Sequence, residues 1–175
     1  MPALEDPRFQ RTVTLICQND ENGSLGVTIN KKQSNLSFAD VVEHLELVNT
    51  IKTAIPALPV FHGGPVQPEL GMVLHDNSAP WDSTLKISEN LALTTSMDIV
   101  RSLAEGNGPT NALFLLGYAG WAAGQLETEL LENSWLNVGA DPKIIFHTEI
   151  EHRWQSAASL IGVDLNKISS LTGHA

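Results

Sequence analysis

The sequence predicts one α+β domain, spanning residues 1–175, in which α-helices flank a mixed β-sheet. Three observations support that fold class. Apolar residues repeat at every second position early in the chain, they repeat with helical spacing in later segments, and hairpins and helices follow one another without strict βαβ alternation. The length suits one domain with a substantial core, and a composition that is 42% hydrophobic and 17% charged is typical of a folded chain.

A β-hairpin is the first predicted element. In TVTLICQN, residues 12–19, the side chains of Val13, Leu15 and Cys17 alternate with their neighbours, and SLGVTIN, residues 24–30, shows the same period of two. The intervening DENG supplies the residues that a hairpin turn needs. Cys17 lies among apolar neighbours and is expected to be a core residue.

An amphipathic α-helix is predicted next, in SFADVVEHLEL, residues 37–47. Ser37 is a favourable N-cap, and Asp40 follows three residues later, as in a capping box. His44 and Glu46 fall outside the apolar stripe and are expected to face water. The stripe has helical spacing and consists of Phe38, Val41, Val42 and Leu45.

Short strands are predicted in the middle of the chain. PVFHGG, residues 59–64, and ELGMVLHD, residues 69–76, are two such strands joined by a proline-containing turn. STLKISENLALTTS, residues 83–96, is predicted to form further strands. Ser96 is then expected to cap a helix that Gly106 ends.

An uncharged apolar run, NALFLL at residues 111–116, predicts a strand that is buried on both faces. It leads into GYAGW, residues 117–121, which is predicted as a strand-to-helix corner, and a helix is expected to start near residues 122–124. In that helix we expect Leu126, Leu130 and Leu131 to face the core, and Glu127, Glu129 and Glu132 to face water.

The last predicted elements are a strand and a helix. KIIFH, residues 143–147, is predicted as the strand, and Thr148 with Glu151 is predicted as a second capping box that opens the helix. Gly162 is expected to end that helix, and the polar tail at 168–175 is expected to be loose. The apolar stripe of the helix consists of Trp154, Ala157, Ala158 and Ile161.

The charge balance argues against nucleic acid as a partner. The formal net charge is −10, from 20 acidic residues against 10 Lys and Arg, and the basic residues are scattered along the chain. Sequence-independent binding to nucleic acid needs a basic face that displaces counterions. Such a face is therefore not expected here.

The compartment is predicted to be the cytoplasm. A single cysteine cannot form an intrachain disulfide, which favours a reducing environment. MPALEDPRFQ, residues 1–10, lacks the apolar segment of a signal peptide. Residues 106–126 carry no charge, but Pro109 and five glycines interrupt them, and their apolar part is shorter than the ~20 residues that cross a bilayer.

Two glycine-rich motifs invite a chemical interpretation. HGGP, residues 62–65, resembles a loop that supplies oxyanion-hole amides in some esterases, but the chain has no G-x-S-x-G nucleophile motif. GYAGWAAG, residues 117–124, stands before a predicted helix, where backbone amides can bind phosphate. Its spacing fits no nucleotide motif, and no Lys or Arg lies between Thr110 and Pro142. Tight turning and close packing are the favoured interpretations of both motifs.

Metal chemistry has little support in the sequence. His147 and His152 lie five residues apart, which does not place them on one helix face, and no HExxH motif occurs. The acidic residues could assemble a Mg²⁺ site only through the fold, because no spacing indicates one. We therefore predict no metal ligand, no cofactor and no catalytic residue.

Several motifs together resemble the AlgH/YqgE family over nearly the whole chain. They are DPRFQRTVTLICQNDENGSLGVTIN, PVFHGGPVQPELGMVLHD, LTTSMDI, GYAGWAAGQLETELLENSWL and the terminal GHA, in the same order and with similar spacing. The resemblance implies an α+β fold with a partly barrel-like sheet. The family pattern also places about a strand's length of residues before Met1, so we expect a sheet edge to lack a strand.

The resemblance implies little about activity, because most members of the family are uncharacterised. Its name comes from a link to alginate regulation, and the label of transcriptional regulator follows from that link. Nothing in the sequence resembles a helix-turn-helix.

Three functional hypotheses follow, in order of preference. The first is a non-enzymatic regulatory or binding protein that acts indirectly, through an unidentified protein or small-molecule partner. The second is a regulator that binds DNA directly, and the third is a metal-dependent hydrolase of nucleotides or nucleic acid. Self-association into a homo-oligomer stays open.

For the first hypothesis, the two glycine motifs are expected to line one ligand pocket. The candidate ligand-binding residues are Arg11, His62, Gly63, Gly64, Gly117, Tyr118, Gly120, Trp121 and Gln125.

Overall fold

A computed structural model describes residues 11–47, 51, 54–77 and 79–162. It confirms the first hairpin, in which β1 (Thr14–Asp20) pairs antiparallel with β2 (Gly23–Thr28). The expectations of a missing N-terminal strand and of a loose C-terminal tail lie outside the described residues. Among the helices of the described segments, none has the length and apolar character needed to cross a membrane.

Eight strands within the described residues form one nearly closed, barrel-like sheet. The strands after the hairpin are β3 (Lys32–Ser37), β4 (Pro59–His62), β5 (Val66–His75), β6 (Thr84–Lys86), β7 (Ala92–Thr94) and β8 (Ala112–Ala122). The order in the sheet is β1-β2-β8-β5-β7-β6, and β4, which also pairs with β3, adds to β8 in parallel. The sheet is therefore mixed, as the sequence predicts.

Strand β8 organises the sheet. β5 pairs with residues on both sides of Gly117, whereas β4 pairs with residues 114–116 and β2 with residues 119–122. β4 and β2 thus share one edge of β8 and meet at Gly117, whose φ of +71° lies in the left-handed region. Left-handed glycines allow strands to bulge and bend, and this one lies where the partner of β8 changes from β4 to β2.

The period of two in the central strands divides the interior into two cores. Met72, Leu74 and Leu115 face a core inside the curled sheet, while Val73 and Phe114 face a second core on the other side. Because alternate side chains of β8 enter different cores, the apolar run at 111–116 is buried on both faces, as predicted.

Two helices cover the second core. α1 (Phe38–His44) begins with the predicted capping box between Ser37 and Asp40, and α2 (Met97–Ala104) ends before Gly106 at φ +78°. Ser96 holds the N-cap position of α2, but its hydroxyl lies against Asp82 and Asp98 and makes no cap hydrogen bond.

The predicted corner at GYAGW lies inside a strand. β8 runs through Trp121, and α3 (Gln125–Leu131) starts only after Gly124, which has a φ of +74°. Leu126 faces the core as predicted, whereas Leu131 is 84% exposed, contrary to prediction. This short helix packs through too narrow a stripe to bury its last leucine.

KIIFH does not form the predicted strand. Residues Lys143–His147 make a single wide turn of π-helix in which Ile144 and Ile145 are both buried. Adjacent residues of a strand point to opposite faces, so a turn of helix is the conformation that buries both isoleucines against one surface. The preceding Pro142, at φ −54° and ψ −30°, already has helical dihedrals.

The predicted second capping box is also wrong. The Thr148 hydroxyl donates to the Lys143 carbonyl at 3.2 Å, a 3₁₀ turn covers Ile150–His152, and α4 spans Arg153–Ser159. The chain then reaches Gly162 at φ +70°. Cys17 is buried as predicted, and that burial raises the pKa of its thiol to about 12.

Candidate ligand-binding groove

The two glycine motifs lie directly against each other. The Gly63 amide donates to the Leu116 carbonyl at 2.8 Å, and the Gly63 carbonyl accepts from the Thr28 amide at 2.7 Å. A Cβ on Gly63 would lie 2.1 Å from the Gly117 oxygen, and a Cβ on Gly64 would lie 2.1 Å from the Tyr118 carbonyl carbon. Backbone therefore fills the space between the motifs, and only glycine permits this approach.

Gly117 also allows the strand beside it to bulge. Val66 of β5 is opposite Tyr118 of β8, and Gly71 is opposite Leu116, so residues 67–70 face Gly117 alone. A Cβ on Gly117 would lie 2.5 Å from the Gly64 oxygen and 3.0 Å from the Val66 oxygen. The absence of that atom leaves room for the segment 67–70 to arch out of the sheet.

The arched segment forms one wall of an apolar groove, which we call the α1–α2 groove. Its volume is about 750 Å³, its other walls are α1 and α2, and Phe114 and Leu116 of β8 form its floor. The lining residues are Leu36, Asp40, Val41, His44, Leu45, Pro68, Glu69, Leu70, Gly71, Thr95, Met97, Val100, Phe114 and Leu116. The glycine motifs thus contribute to this groove indirectly, through the bulge.

Three titratable side chains line the α1–α2 groove within the described residues: Asp40, His44 and Glu69. Hydrogen bonds from the Ser37 hydroxyl and the Ser37 amide lower the pKa of the Asp40 carboxyl, so it carries its negative charge at neutral pH. All three residues are exposed, which places their polar groups at the rim of the groove.

Two of the predicted site residues belong to a different cluster, around Glu129. Its carboxylate accepts from the Trp121 indole at 3.0 Å, the Trp135 indole at 2.7 Å and the Gln125 amide at 2.9 Å. Partial burial raises the pKa of Glu129, but hydrogen bonds from Trp135, Gln125 and Trp121 outweigh it, and the net pKa is lowered. The expectation that Glu129 faces water is therefore wrong.

The other predicted site residues are separated as well. Arg11 lies over the Trp154 ring, with its guanidinium carbon 5.5 Å from the ring centroid. His62 ends β4 with an exposed side chain. Gly120 has space around it, because a Cβ there would first meet Tyr118 Cε2 at 3.6 Å. Of the nine predicted residues, the structure brings Gly63, Gly64, Gly117 and Tyr118 into mutual contact, and it places Trp121 and Gln125 together around Glu129.

No pattern in the sequence indicates that Arg153 is a buried charged residue. Arg153 is 4% exposed, its Nε donates to the Thr148 carbonyl at 3.0 Å, and its Nη1 donates to the Ile29 carbonyl. Its guanidinium carbon lies 5.3 Å from the centroid of the Phe61 ring. Burial lowers the pKa of this guanidinium. Arg153 thus ties the start of α4 to β2 and β4, a positioning role for the fold.

A buried polar chain runs through His75. The Nδ1 of this fully buried residue is 2.6 Å from the Asp76 carbonyl, so it carries a proton, and its Nε2 is 2.8 Å from the Thr94 hydroxyl. The Asp76 carboxylate accepts from the Asn111 side-chain amide at 3.0 Å. Among the residues that the structure describes, no group of three or more His, Cys, Asp or Glu is placed to hold a metal ion.

Known proteins resemble the chain over most of its length. A model of a family described as AlgH-like matches residues 1–166. A UPF0301 protein from Xanthomonas campestris is 49% identical over 175 residues, covering 100% of this chain and 92% of the relative. A UPF0301 protein from Stenotrophomonas maltophilia is 49% identical over 174 residues, covering 99% of this chain and 92% of the relative.

Solved structures share the fold. The solution structure of the AlgH protein from Pseudomonas aeruginosa has a TM-score of 0.78 at 42% identity, covering 100% of this chain and 92% of the other. A crystal structure of a protein from Corynebacterium diphtheriae has a TM-score of 0.71 at 19% identity, covering 98% of this chain and 87% of the other. The second likeness concerns the fold alone.

Proposed function

The chain belongs to the AlgH-like family, and on that premise we propose that it is a non-enzymatic binding protein whose α1–α2 groove holds the apolar part of a partner molecule. The observation that carries the proposal is the groove itself. Its volume of about 750 Å³ falls within the range of ligand-binding clefts, and most of its lining is apolar with a few polar groups at the rim.

The polar groups of the groove support binding rather than catalysis. Asp40 is engaged by Ser37 in the α1 cap, and among the described lining residues no hydrogen bond joins His44 to Asp40 or to Thr95. General acid–base and nucleophilic catalysis need such pairs within hydrogen-bond reach. A regulatory effect would then come from occupying or presenting this groove.

The charge of the groove disfavours direct contact with nucleic acid. Asp40 and Glu69 line it, whereas none of its described lining residues is Lys or Arg. A polyanion gains affinity by contact with cations, which this surface does not present. A role in transcriptional regulation would therefore be indirect, through a partner, rather than through direct contact with DNA.

The test uses an uncharged solvatochromic dye, Nile red, with the purified full chain. We expect its emission to rise and shift to the blue on binding, and we expect the amide signals of Val41, Leu45, Leu70 and Met97 to move in ¹H–¹⁵N spectra. Signals from Val138 and Ala157, which lie in a separate cleft beside β1, serve as an internal control.

Variants locate the dye independently. Leu45 and Met97 are 37% and 44% exposed at the groove, so Leu45→Gln with Met97→Gln removes apolar surface at little cost to folding. We expect the dye affinity to fall about tenfold in this double variant. Leu131→Gln on α3, at an 84% exposed residue, is the matched control and should bind normally. Dye binding that survives the double variant and leaves the groove signals unmoved would overturn the proposal.

A further inference from the structure

We propose that the occupant of the α1–α2 groove is a helical segment of a partner protein, with an apolar face flanked by Lys and Arg. This inference rests on the proposed binding function of the groove and names the class of partner. Three features of the groove support it: exposed apolar residues on its rim, walls made of helices, and acidic charge beside the apolar surface.

The rim of the groove exposes large apolar side chains. Leu45 at the C-cap of α1 and Met97 at the start of α2 are 37% and 44% exposed, although both line the groove. A small molecule held on the floor, over Phe114 and Leu116, would leave this rim in water. A polypeptide segment lying between the two helices would cover the rim as well as the floor, which is how exposed apolar patches serve protein partners.

The walls have the geometry that receives a helix. Val41 on α1 and Leu45, the C-cap residue of α1, are spaced i, i+4, and Met97 and Val100 on α2 are spaced i, i+3. Each helix therefore presents a short apolar ridge to the groove. Helix-in-groove recognition places the apolar face of an amphipathic helix between such ridges. Its anchors would recur at i, i+3, i+4 and i+7.

The charges around the groove select a basic partner. Asp40 and Glu69 line the groove, and Glu43 is exposed on α1 beside His44. Arg101, exposed on α2, is a neighbouring cation but does not line the groove. With a chain charge of −10, this rim attracts Lys and Arg and repels the carboxylate or phosphate head of an anionic lipid or nucleotide.

The test compares three fluorescein-labelled peptides of about 16 residues, long enough to form a helix. The first has Leu at i, i+3, i+4 and i+7 with Lys at most other positions. The second replaces each Lys with Glu, and the third keeps the composition of the first with the Leu positions scrambled. Fluorescence anisotropy is measured against the full-length protein at low and moderate salt.

We expect the first peptide to bind at least about tenfold more tightly than either of the others, with an affinity that weakens as salt is added. Leu45→Gln with Met97→Gln should abolish that preference, and Leu131→Gln should retain it. Glu69→Gln should weaken binding and its salt dependence, whereas Glu132→Gln, an exposed acid beyond α3, should leave both unchanged.

Three outcomes would overturn the inference: equal binding of the Lys and Glu peptides, equal binding of the scrambled peptide, or Lys-peptide binding that the groove variants do not alter. If Nile red still reports the groove in those cases, the binding function stands and only the class of partner is wrong. If Nile red also misses the groove, both proposals fail. Thermal melts followed by circular dichroism establish that each variant is folded, and shifts of the groove amide signals locate the peptide without any substitution.

Discussion

Gly64 and Tyr118 touch backbone to backbone, so closely that a Cβ on Gly64 would lie 2.1 Å from the Tyr118 carbonyl carbon and 2.3 Å from the Ala119 nitrogen. This contact joins the two glycines that follow β4 to the middle of β8. In the sequence, the closely spaced glycines look like a ligand-binding loop. In the structure, they allow one backbone segment to approach another.

Gly64→Ala should destabilise the protein strongly, because its methyl group would have to displace the backbone of β8. We expect the free energy of unfolding to fall by about 3 kcal/mol or more, measured by urea denaturation. Gly120→Ala in the same motif is the matched control, since its Cβ would first meet Tyr118 Cε2 at an ordinary 3.6 Å. Equal losses in the two variants would mean that the close contact does not form.

Glu129 should stabilise the folded protein, because its carboxylate accepts hydrogen bonds from two indole N–H groups. Glu129→Ala removes the carboxylate that accepts from the Trp121 and Trp135 N–H groups at 3.0 and 2.7 Å in the folded protein. We expect a loss of about 2 kcal/mol in unfolding free energy and a shift in tryptophan emission. Glu127→Gln replaces an exposed carboxylate that accepts from the Asn19 side-chain amide, and this variant should behave as the parent protein does.

Acid should weaken the same cluster. Burial raises the pKa of Glu129, but the hydrogen bonds from Trp135, Gln125 and Trp121 outweigh it, so the folded-state pKa lies below the unfolded value near 4.5. Its contribution is then complete above that pH and is lost as the pH falls through the lower, folded-state pKa. A pH series of urea melts should therefore show a smaller acid-induced loss of stability in Glu129→Ala than in the parent protein.

Even a conservative substitution of Arg153 should destabilise the protein. Its Nε and Nη1 donate to the carbonyls of Thr148 and Ile29, which lie on different segments. A lysine ammonium cannot reproduce this planar, two-directional donation. We expect Arg153→Lys to cost about 1–2 kcal/mol and Arg153→Met about 2–3 kcal/mol in unfolding free energy. Arg101→Met, at an exposed site on α2, provides the comparison, and similar costs at the two sites would contradict the buried role.

The local elements were predictable because their determinants lie close together in the sequence. The hairpin β1–β2 follows from the alternation around DENG, and the capping box of α1 from Ser37 and Asp40. The strand prediction for residues 143–147 failed because an apolar run does not specify its own period. Two adjacent isoleucines fit a strand buried on both faces or one turn of helix, and the surface that receives them decides between the two.

The α1–α2 groove was not predictable from local patterns, because its walls come from segments far apart in the sequence. In the sequence, nothing distinguishes Leu45, Leu70 and Met97 from other apolar residues, although all three line the groove. The only signal of the groove in the sequence was Leu45, an apolar side chain at the exposed end of the apolar stripe of a helix. The bulge at residues 67–70 depends on the missing side chain of Gly117, a contact that only the pairing of β5 with β8 creates.

The bulge itself can be tested at Gln67, an exposed residue with a φ of +46°. This left-handed conformation suits glycine and is strained for β-branched residues. We expect Gln67→Val to lower the unfolding free energy by about 1–2 kcal/mol and Gln67→Gly to leave it nearly unchanged or higher.

The measurement that links fold to function is the Nile red affinity of the two variants. Because residues 68–71 wall the α1–α2 groove, Gln67→Val should weaken dye binding while Gln67→Gly preserves it, although neither changes a lining side chain. Unaltered dye affinity in Gln67→Val would show that the groove does not depend on the bulge.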